Sequence, residues 1–310
     1  MKVVRLADST EGAPPTLVVD EIPEPRPGRG ELLIRVRAAG AIIPELSWWP
    51  TTHRADGQAR LRAVPGHEFS GVVAGAGAGA GGFQAGQEVF GMNDWYASGA
   101  MAEFCTASMS AVALKPTTLS FAEAASVPIS ALTAWQGLFD HADLQPGETV
   151  LVHGGAGSVG IFAIQLARLH GARVITTASA ANVELVVSLG AEQVIDYRKV
   201  RFEDEVQPVD VVFDTVGGET LHRSEAVLKP QGRLVTIVSD VAKTGDTPIK
   251  KRFFIVEPNQ NQLMEVGGLL DAGKLRTIVD STVPLSQAPG LFAGKLGGHK
   301  RGKVVIEVSH

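Results

Sequence analysis

A chain of 310 residues, 45% hydrophobic and 20% charged, holds more apolar material than one core usually takes, and its composition excludes a disordered or fibrous protein. A net charge of −5 argues against a broad electrostatic footprint for nucleic acid or an anionic membrane surface and points to small-molecule partners. MKVVRLADST lacks the apolar core of a signal peptide, no apolar run approaches the roughly 18 residues of a membrane span, and the single cysteine, Cys105, excludes an intrachain disulfide or a zinc site of several thiolates; the expectation is a cytoplasmic protein with Cys105 as a small buried hydrophobe.

The first third reads as strands. In ELLIRVRA, Leu32, Ile34 and Val36 fall on one face and Leu33, Arg35 and Arg37 on the other, the period of a half-buried strand. VVRLA, FSGVVAG, QEVFGM, MAEFCTA and AVALKP repeat the pattern between Gly, Pro and Asn turns, which predicts an antiparallel sheet or small barrel over 1–120. AGAGAGAGG, residues 74 to 82, contains G-x-G-x-x-G spacings but no amphipathic helix follows, so it reads as a turn between strands.

From residue 121 the pattern changes to alternating strand and helix. ETVLVHG, SVGIFAIQLARLHG, ARVITTA, NVELVVSLG, EQVIDY, VDVVFDTVG, ETLHRSEAVLK and GRLVTIV predict a doubly wound parallel sheet over 121–274. The closing KRGKVVIEV reads as a strand that pairs back with the first unit, so 275–310 is assigned to it.

Within this half, LVHGGAGSVGIFAIQLA places Gly155, Gly157 and Gly160 after an apolar strand and before a helix that ends at Gly171. Gly155 is expected to permit the tight turn, Gly157 to let backbone approach a pyrophosphate, and Gly160 to let helix pack on strand. The phosphates would sit on free amides at the positive end of the helix. No acid stands between Arg173 and Glu184 in RVITTASAANVE, and Thr177 and Ser179 in its place favour NADP(H) over NAD. Arg198 or Lys199, beside Tyr197, is the candidate charge for an extra phosphate; a solvated surface cluster is the alternative.

The succession of a strand-rich unit, GHEFSGVV, GQEVFG, AASVPISALTAWQGL, LVHGGAGSVG, LGAEQVIDYR, VDVVFDTVGGETL, LKPQGRLVTI and RGKVVIEV is similar to the medium-chain dehydrogenase/reductase superfamily, in its zinc-independent quinone oxidoreductase-like branch. The resemblance implies an α/β protein with a GroES-like β-rich substrate domain, a Rossmann domain and a cleft between them. It also implies NADPH-dependent reduction of a quinone or conjugated carbonyl, and homodimers or homotetramers joined through the Rossmann edge strand, here FFIVEP. Carried over by position, the phosphate loop falls on Ala156, Gly157, Ser158, Val159 and Gly160, the serine after the second strand on Ser179, and the tyrosine of the DY pair on Tyr197. Thr133, Val238 and Ser239 fall beside the nicotinamide.

VPGHEFSG then raises the question of a metal at His67. In the zinc-dependent alcohol-dehydrogenase branch that histidine is joined by two cysteines, but the matching places here are Ile42 or Ile43 and a position near Ile129. One histidine, even with Glu45 or Glu68, does not make a tetrahedral site, so no metal is expected and His67 reads as a core or cleft residue. The asparagine that lines the site in quinone oxidoreductases is also replaced, by Ile42. Trp48 and Trp49 in ELSWWP and Asn93, Trp95 and Tyr96 in MNDWYASG are the candidates to grip a flat substrate, with a core role as the alternative. His67, Asn93 and Tyr96 are the candidate hydrogen-bond donors to a developing enolate, and no catalytic acid is identified. An NADPH-binding redox sensor or regulatory protein with little turnover is the competing expectation.

Overall fold

In the computed structural model, which describes residues 1–8, 15–238, 253–296 and 301–308, the alternation of ELLIRVRA becomes β3 (Glu31–Ala41), with Leu32, Ile34 and Val36 fully buried. β1 (Lys2–Leu6) and β2 (Leu17–Glu21) form a separate antiparallel ribbon. β3 pairs antiparallel with β4 (Glu68–Ala76), which leads to β5 (Glu88–Met92) and β7 (Val112–Leu114), while β6 (Phe104–Ser108) pairs with the first half of β3. The second half of β3 loses the alternation because both its faces are covered: Ala38 packs with Ala125 and Val305. Residues 121–125, expected in the second unit, therefore lie on this first sheet. The poly-Gly/Ala stretch divides, with β4 running to Ala76 and the turn following through Gly79 and Gly82, both at positive φ.

Among the described residues the second half forms a five-stranded parallel sheet in the order β10-β9-β8-β11-β12, from β8 (Thr149–His153), β9 (Arg173–Ala178), β10 (Gln193–Asp196), β11 (Val209–Asp214) and β12 (Leu228–Thr236). Its central strands β8, β9 and β11 are buried on both faces, as a sheet covered twice requires. Val150 and Val152 enter the cluster that holds Ile164 and Leu166 of the helix Ser158–Leu169; Leu151 points into the opposite cluster with Phe202 and Leu221. The first cluster also takes in Phe90 and Met92 of β5, so one core runs across both sheets.

β13 (Val279–Pro284) pairs parallel with β14 (Lys303–Glu307), and β14 returns antiparallel onto β3 with Val305 opposite Gly40. Just before β14, Gly302 N–H donates to Ala156 O at 2.8 Å, which docks the carboxy-terminal strand on the glycine-rich loop. FFIVEP departs from expectation. Instead of an edge strand it makes a single parallel bridge, Phe253 to Thr236, beyond β12. The physical reason is competition for its backbone: Trp95 Nε1 donates to Val256 O (2.9 Å), and the Gln136 amide donates to Glu257 O (2.8 Å) and accepts from Glu257 N–H (3.0 Å).

Candidate active site

The turn after β8 is built from four glycines with distinct tasks. Gly154, not Gly155, adopts the left-handed conformation at φ 76°, and a Cβ there would press on Thr215 Oγ1. At Gly155 the constraint is space, since a Cβ would overlap Thr176 Oγ1; at Gly160 a Cβ would overlap Gly154 O and crowd the Gly155 backbone. Gly157 is the N-cap of the helix Ser158–Leu169 and supplies no side-chain cap. The first amides of a helix have no intrahelical acceptor, so this N-terminus offers donors and a positive dipole end to an anion. The residues present thus fit a dinucleotide's phosphates, with Ala156, Gly157, Ser158, Val159 and Gly160 around them.

At the end of β9 the two hydroxyls separate. Thr177 turns inward: its Oγ1 accepts from Gly154 N–H at 3.1 Å and its carbonyl accepts from Gly155 N–H at 3.0 Å. Ser179 lies beyond the strand, with the Asn182 amide 3.4 Å from its hydroxyl. The register Asp196 opposite Ala178 sets Tyr197 and Arg198 beside Ser179 on the neighbouring strand end. Tyr197 is exposed, and the Arg198 guanidinium lies 5.7 Å from its ring centroid. Asp196, the acid of this corner, is occupied by Lys199 at 3.6 Å and by the Arg198 amide at 3.1 Å.

The ends of β11 and β12 are joined by a buried carboxylate that the sequence reading did not single out. Asp214 accepts from Thr236 Oγ1 (2.7 Å), Val216 N–H (3.1 Å) and Gly217 N–H (3.0 Å); burial pushes its carboxyl above the usual range, with these hydrogen bonds opposing. Gly217, at φ 77°, has no room for a Cβ beside Val238, whose own N–H donates to Thr236 Oγ1 at 3.2 Å. The pair of glycines after the aspartate in DTVGG was the available signal. Ser239 lies outside the described residues. Thr133 is buried in the helix Pro128–Trp135 and donates back to Ile129 O at 2.6 Å, which leaves its oxygen able to accept.

His67 is buried with both ring nitrogens engaged: Nδ1 lies 2.7 Å from Glu45 Oε1 and Nε2 lies 3.0 Å from Trp95 O. A carbonyl can only accept, so Nε2 carries a hydrogen and His67 has no nitrogen left for a substrate or a metal. Ile42 packs against the large core and Ile129 is buried, and among the described residues no group of three His, Cys, Asp or Glu side chains converges. These residues do not fit a tetrahedral zinc ion.

Asn93 is also buried; its amide nitrogen donates to Ser98 O at 3.2 Å and its backbone N–H to His67 O at 2.7 Å, so it braces the turn rather than presenting a donor. Tyr96 is exposed. Trp95 meets Trp48 edge to face at 5.3 Å, whereas Trp49 stacks on His53 at 3.5 Å and is largely exposed. Asn93 and Trp95 share a groove of about 540 Å³ with Thr106, Ser108 and Val256; Trp48, Trp49 and Tyr96 are not among its lining residues, nor is the glycine-rich loop. The structure thus unites Trp48, Trp95 and His67 in one cluster and sets Trp49 apart. Cys105 is buried, and burial pushes its thiol up to about 12, the state of an inert core residue.

Two family models match the chain. Residues 28–136 match the alcohol dehydrogenase GroES-like domain, and residues 189–306 match the zinc-binding dehydrogenase family. The chain is 37% identical to a 2-methylene-furan-3-one reductase of Solanum lycopersicum and 34% identical to a chloroplastic NADPH-dependent alkenal/one oxidoreductase of Arabidopsis thaliana, in each case over 79% of this chain. It spans 64% of the length of each of those two relatives. A solved quinone oxidoreductase from Coxiella burnetii superposes with a TM-score of 0.86 at 32% identity, covering 100% of this chain and 99% of that one.

Proposed function

The chain belongs to the medium-chain dehydrogenase/reductase superfamily, in its quinone oxidoreductase-like branch, and from that premise we propose that it is an NADPH-dependent, zinc-free reductase of quinones or α,β-unsaturated carbonyls. The observation that carries the reading is the turn Gly154–Gly160, where glycines exclude side chains and the following helix begins without a side-chain cap. When bound there, the cofactor supplies hydride. Gly155 and Ala156 to Gly160 hold its phosphates on backbone amides, and Thr133 and Val238 border the nicotinamide end. Ser179, Tyr197 and Arg198 at adjoining strand ends favour the extra phosphate of NADPH, since the nearby carboxylate of Asp196 is already paired.

A conjugated acceptor suits what remains of the site. Without a Lewis acid to polarise a saturated carbonyl, the chain can still position a flat, activated acceptor and exclude water from it, and positioning is itself a large part of the barrier. The Trp48–Trp95 pair, locked by His67 and Val256, is the apolar wall for that task. Of the three candidate donors Tyr96 alone is exposed, so it is the proposed partner of the acceptor oxygen. The commitment of His67 and Asn93 inside the protein favours a second reading, an NADPH-binding sensor with little turnover. Two copies pairing across the edge beyond β12, where Ile255 is exposed, is the proposed assembly. Among the described residues no helix is long and apolar enough to cross a membrane, and a cytoplasmic location is part of the proposal.

The test follows NADPH and NADH oxidation optically against a panel of quinones, enals and enones, with and without a chelator. Turnover with NADPH that survives the chelator is expected. Activity that requires zinc and a saturated alcohol or aldehyde overturns the reading, and tight NADPH binding with no turnover across the panel favours the sensor.

A further inference from the structure

His153, the last residue of β8, is fully buried beneath the glycine-rich loop and plays no part in the chemistry above. Its Nδ1 lies 3.3 Å from Thr177 Oγ1 and its Nε2 3.0 Å from Ser224 Oγ. The donor and acceptor roles are forced. The Ser224 hydroxyl donates to Thr220 O at 2.6 Å, so it accepts from His153, and Nε2 carries the hydrogen. Nδ1 then presents a lone pair and accepts from the Thr177 hydroxyl, whose oxygen accepts from Gly154 N–H at 3.1 Å. Four hydrogen bonds therefore run in one direction, from Gly154 through Thr177, His153 and Ser224 to Thr220 in the helix Gly218–Arg223. Bonds that all point one way polarise one another.

The chain works only with a neutral imidazole, and its surroundings keep it neutral. Burial pushes His153 down to about 4; Arg223 acts in the same direction and Glu203 against it, these two being paired to each other at 2.8 Å. The Phe202 ring packs T-shaped against the imidazole, with the ring centroids 4.6 Å apart. At the other end stands the Gly154 amide, whose peptide plane is held on its opposite side by Thr215 Oγ1, which donates to the His153 carbonyl at 2.7 Å; with a left-handed φ and no Cβ, Gly154 adds no side-chain restraint of its own to these two hydrogen bonds.

We infer that His153 and Thr177 are positioning residues for the dinucleotide, fixing the Gly154 amide and with it the turn that presents the helix N-terminus to the phosphates. The inference rests on the reading of this loop as the cofactor site. A loop whose peptide can flip loses part of its phosphate affinity even in a folded protein, because the bound form must first be repopulated. Neither residue touches the acceptor substrate, so the effect falls on the cofactor alone.

Calorimetric titration of NADP⁺ tests it with three variants. Thr177→Val, close in shape but without the hydroxyl, is expected to raise the dissociation constant about tenfold, the size of one or two hydrogen bonds, while the KM for the acceptor stays unchanged. Thr177→Ser restores binding. Ser224→Ala removes the acceptor of Nε2–H, two links from the loop; the hydrogen is expected to move to Nδ1, seen in the imidazole ¹⁵N shifts, and binding to weaken several-fold. A lowered melting temperature with an unchanged dissociation constant in all three variants marks a merely structural role and overturns the inference. Wild-type protein that binds neither NADP⁺ nor NAD⁺ overturns the cofactor reading and this inference together; tight wild-type binding retained in Thr177→Val overturns this inference alone.

Discussion

Glu68 and Lys303 form a buried ion pair across β3, with Nζ 2.5 Å from Oε1 and both side chains almost without solvent. The other carboxylate oxygen accepts from Ile129 N–H at 2.9 Å, at the start of the helix that carries Thr133, and Gly40 on the intervening strand has no Cβ because one would overlap the carboxylate. Through Gly302 the same strand that bears Lys303 rests on the glycine-rich loop. The pair therefore ties the first sheet, the Thr133 helix and the glycine-rich loop to one another. Removing one partner strands a buried charge, so Lys303→Met is expected to cost about 3–5 kcal/mol, and Glu68→Gln in the same chain to recover much of it. Burial already pushes Glu68 above the usual carboxylate range against the pull of Lys303. A raised carboxylate destabilises progressively as pH rises through its folded pKa, so Lys303→Met should unfold more readily at neutral than at mildly acidic pH. Urea melts at several pH values measure both effects.

Gly160→Ala places a methyl group against Gly154 O and the Gly155 backbone. Overpacking of this kind costs about 1–3 kcal/mol, and here the relief is displacement of the phosphate turn. NADPH affinity by fluorescence titration should fall at least about tenfold, beyond what the change in melting temperature accounts for.

Ser179→Asp introduces a carboxylate at the corner where Tyr197 and Arg198 converge. Repulsion of a 2′-phosphate together with hydrogen bonding to a free 2′-hydroxyl should move the ratio of kcat/KM for NADPH over NADH toward NADH by about one to two orders of magnitude. An unchanged ratio would count against the coenzyme assignment.

His67→Ala removes one of two partners of the buried Glu45 side chain, the other being Gly66 N–H, and one support of the Trp95 carbonyl. A loss of about 2–4 kcal/mol in stability is expected, with zinc content by mass spectrometry at background in wild type and variant alike. Stoichiometric zinc that disappears with His67 would refute the zinc-free reading.

His153 carries a pH signature. Its folded pKa, lowered to about 4 from 6.5, means that the unfolded chain binds the extra proton first as pH falls. Stability is fully present above about pH 6.5 and is lost through the window down to about 4, by roughly 3 kcal/mol at one unit per 1.36 kcal/mol. His153→Gln should flatten that part of the pH–stability curve relative to wild type.

Much of this molecule was legible from local pattern. The period-two alternation in ELLIRVRA, the apolar strands of the parallel sheet and the G-x-G-x-x-G turn depend on neighbours in sequence, and all appear where the pattern put them. Locality also explains the misassignments. Gly155 and Gly154 are adjacent and equivalent on paper, and only the backbone path gives Gly154 the positive φ. FFIVEP has strand composition, but its backbone partners, Trp95 and Gln136, lie 161 and 121 residues away. Thr177 and Ser179 looked alike as replacements for the ribose-binding acid until the fold turned the Thr177 hydroxyl inward onto the Gly154 amide.

The sequence by itself determined that a strand-rich unit precedes a doubly wound one and that a glycine-rich turn sits between the first strand and helix of the second, because those features are written in spacings a few residues long. Tertiary structure decided what His67 is for. Its two nitrogens are claimed by Glu45 and by the Trp95 carbonyl, 22 and 28 residues distant, and only the folded chain brings those two groups within hydrogen-bond reach of a single buried ring.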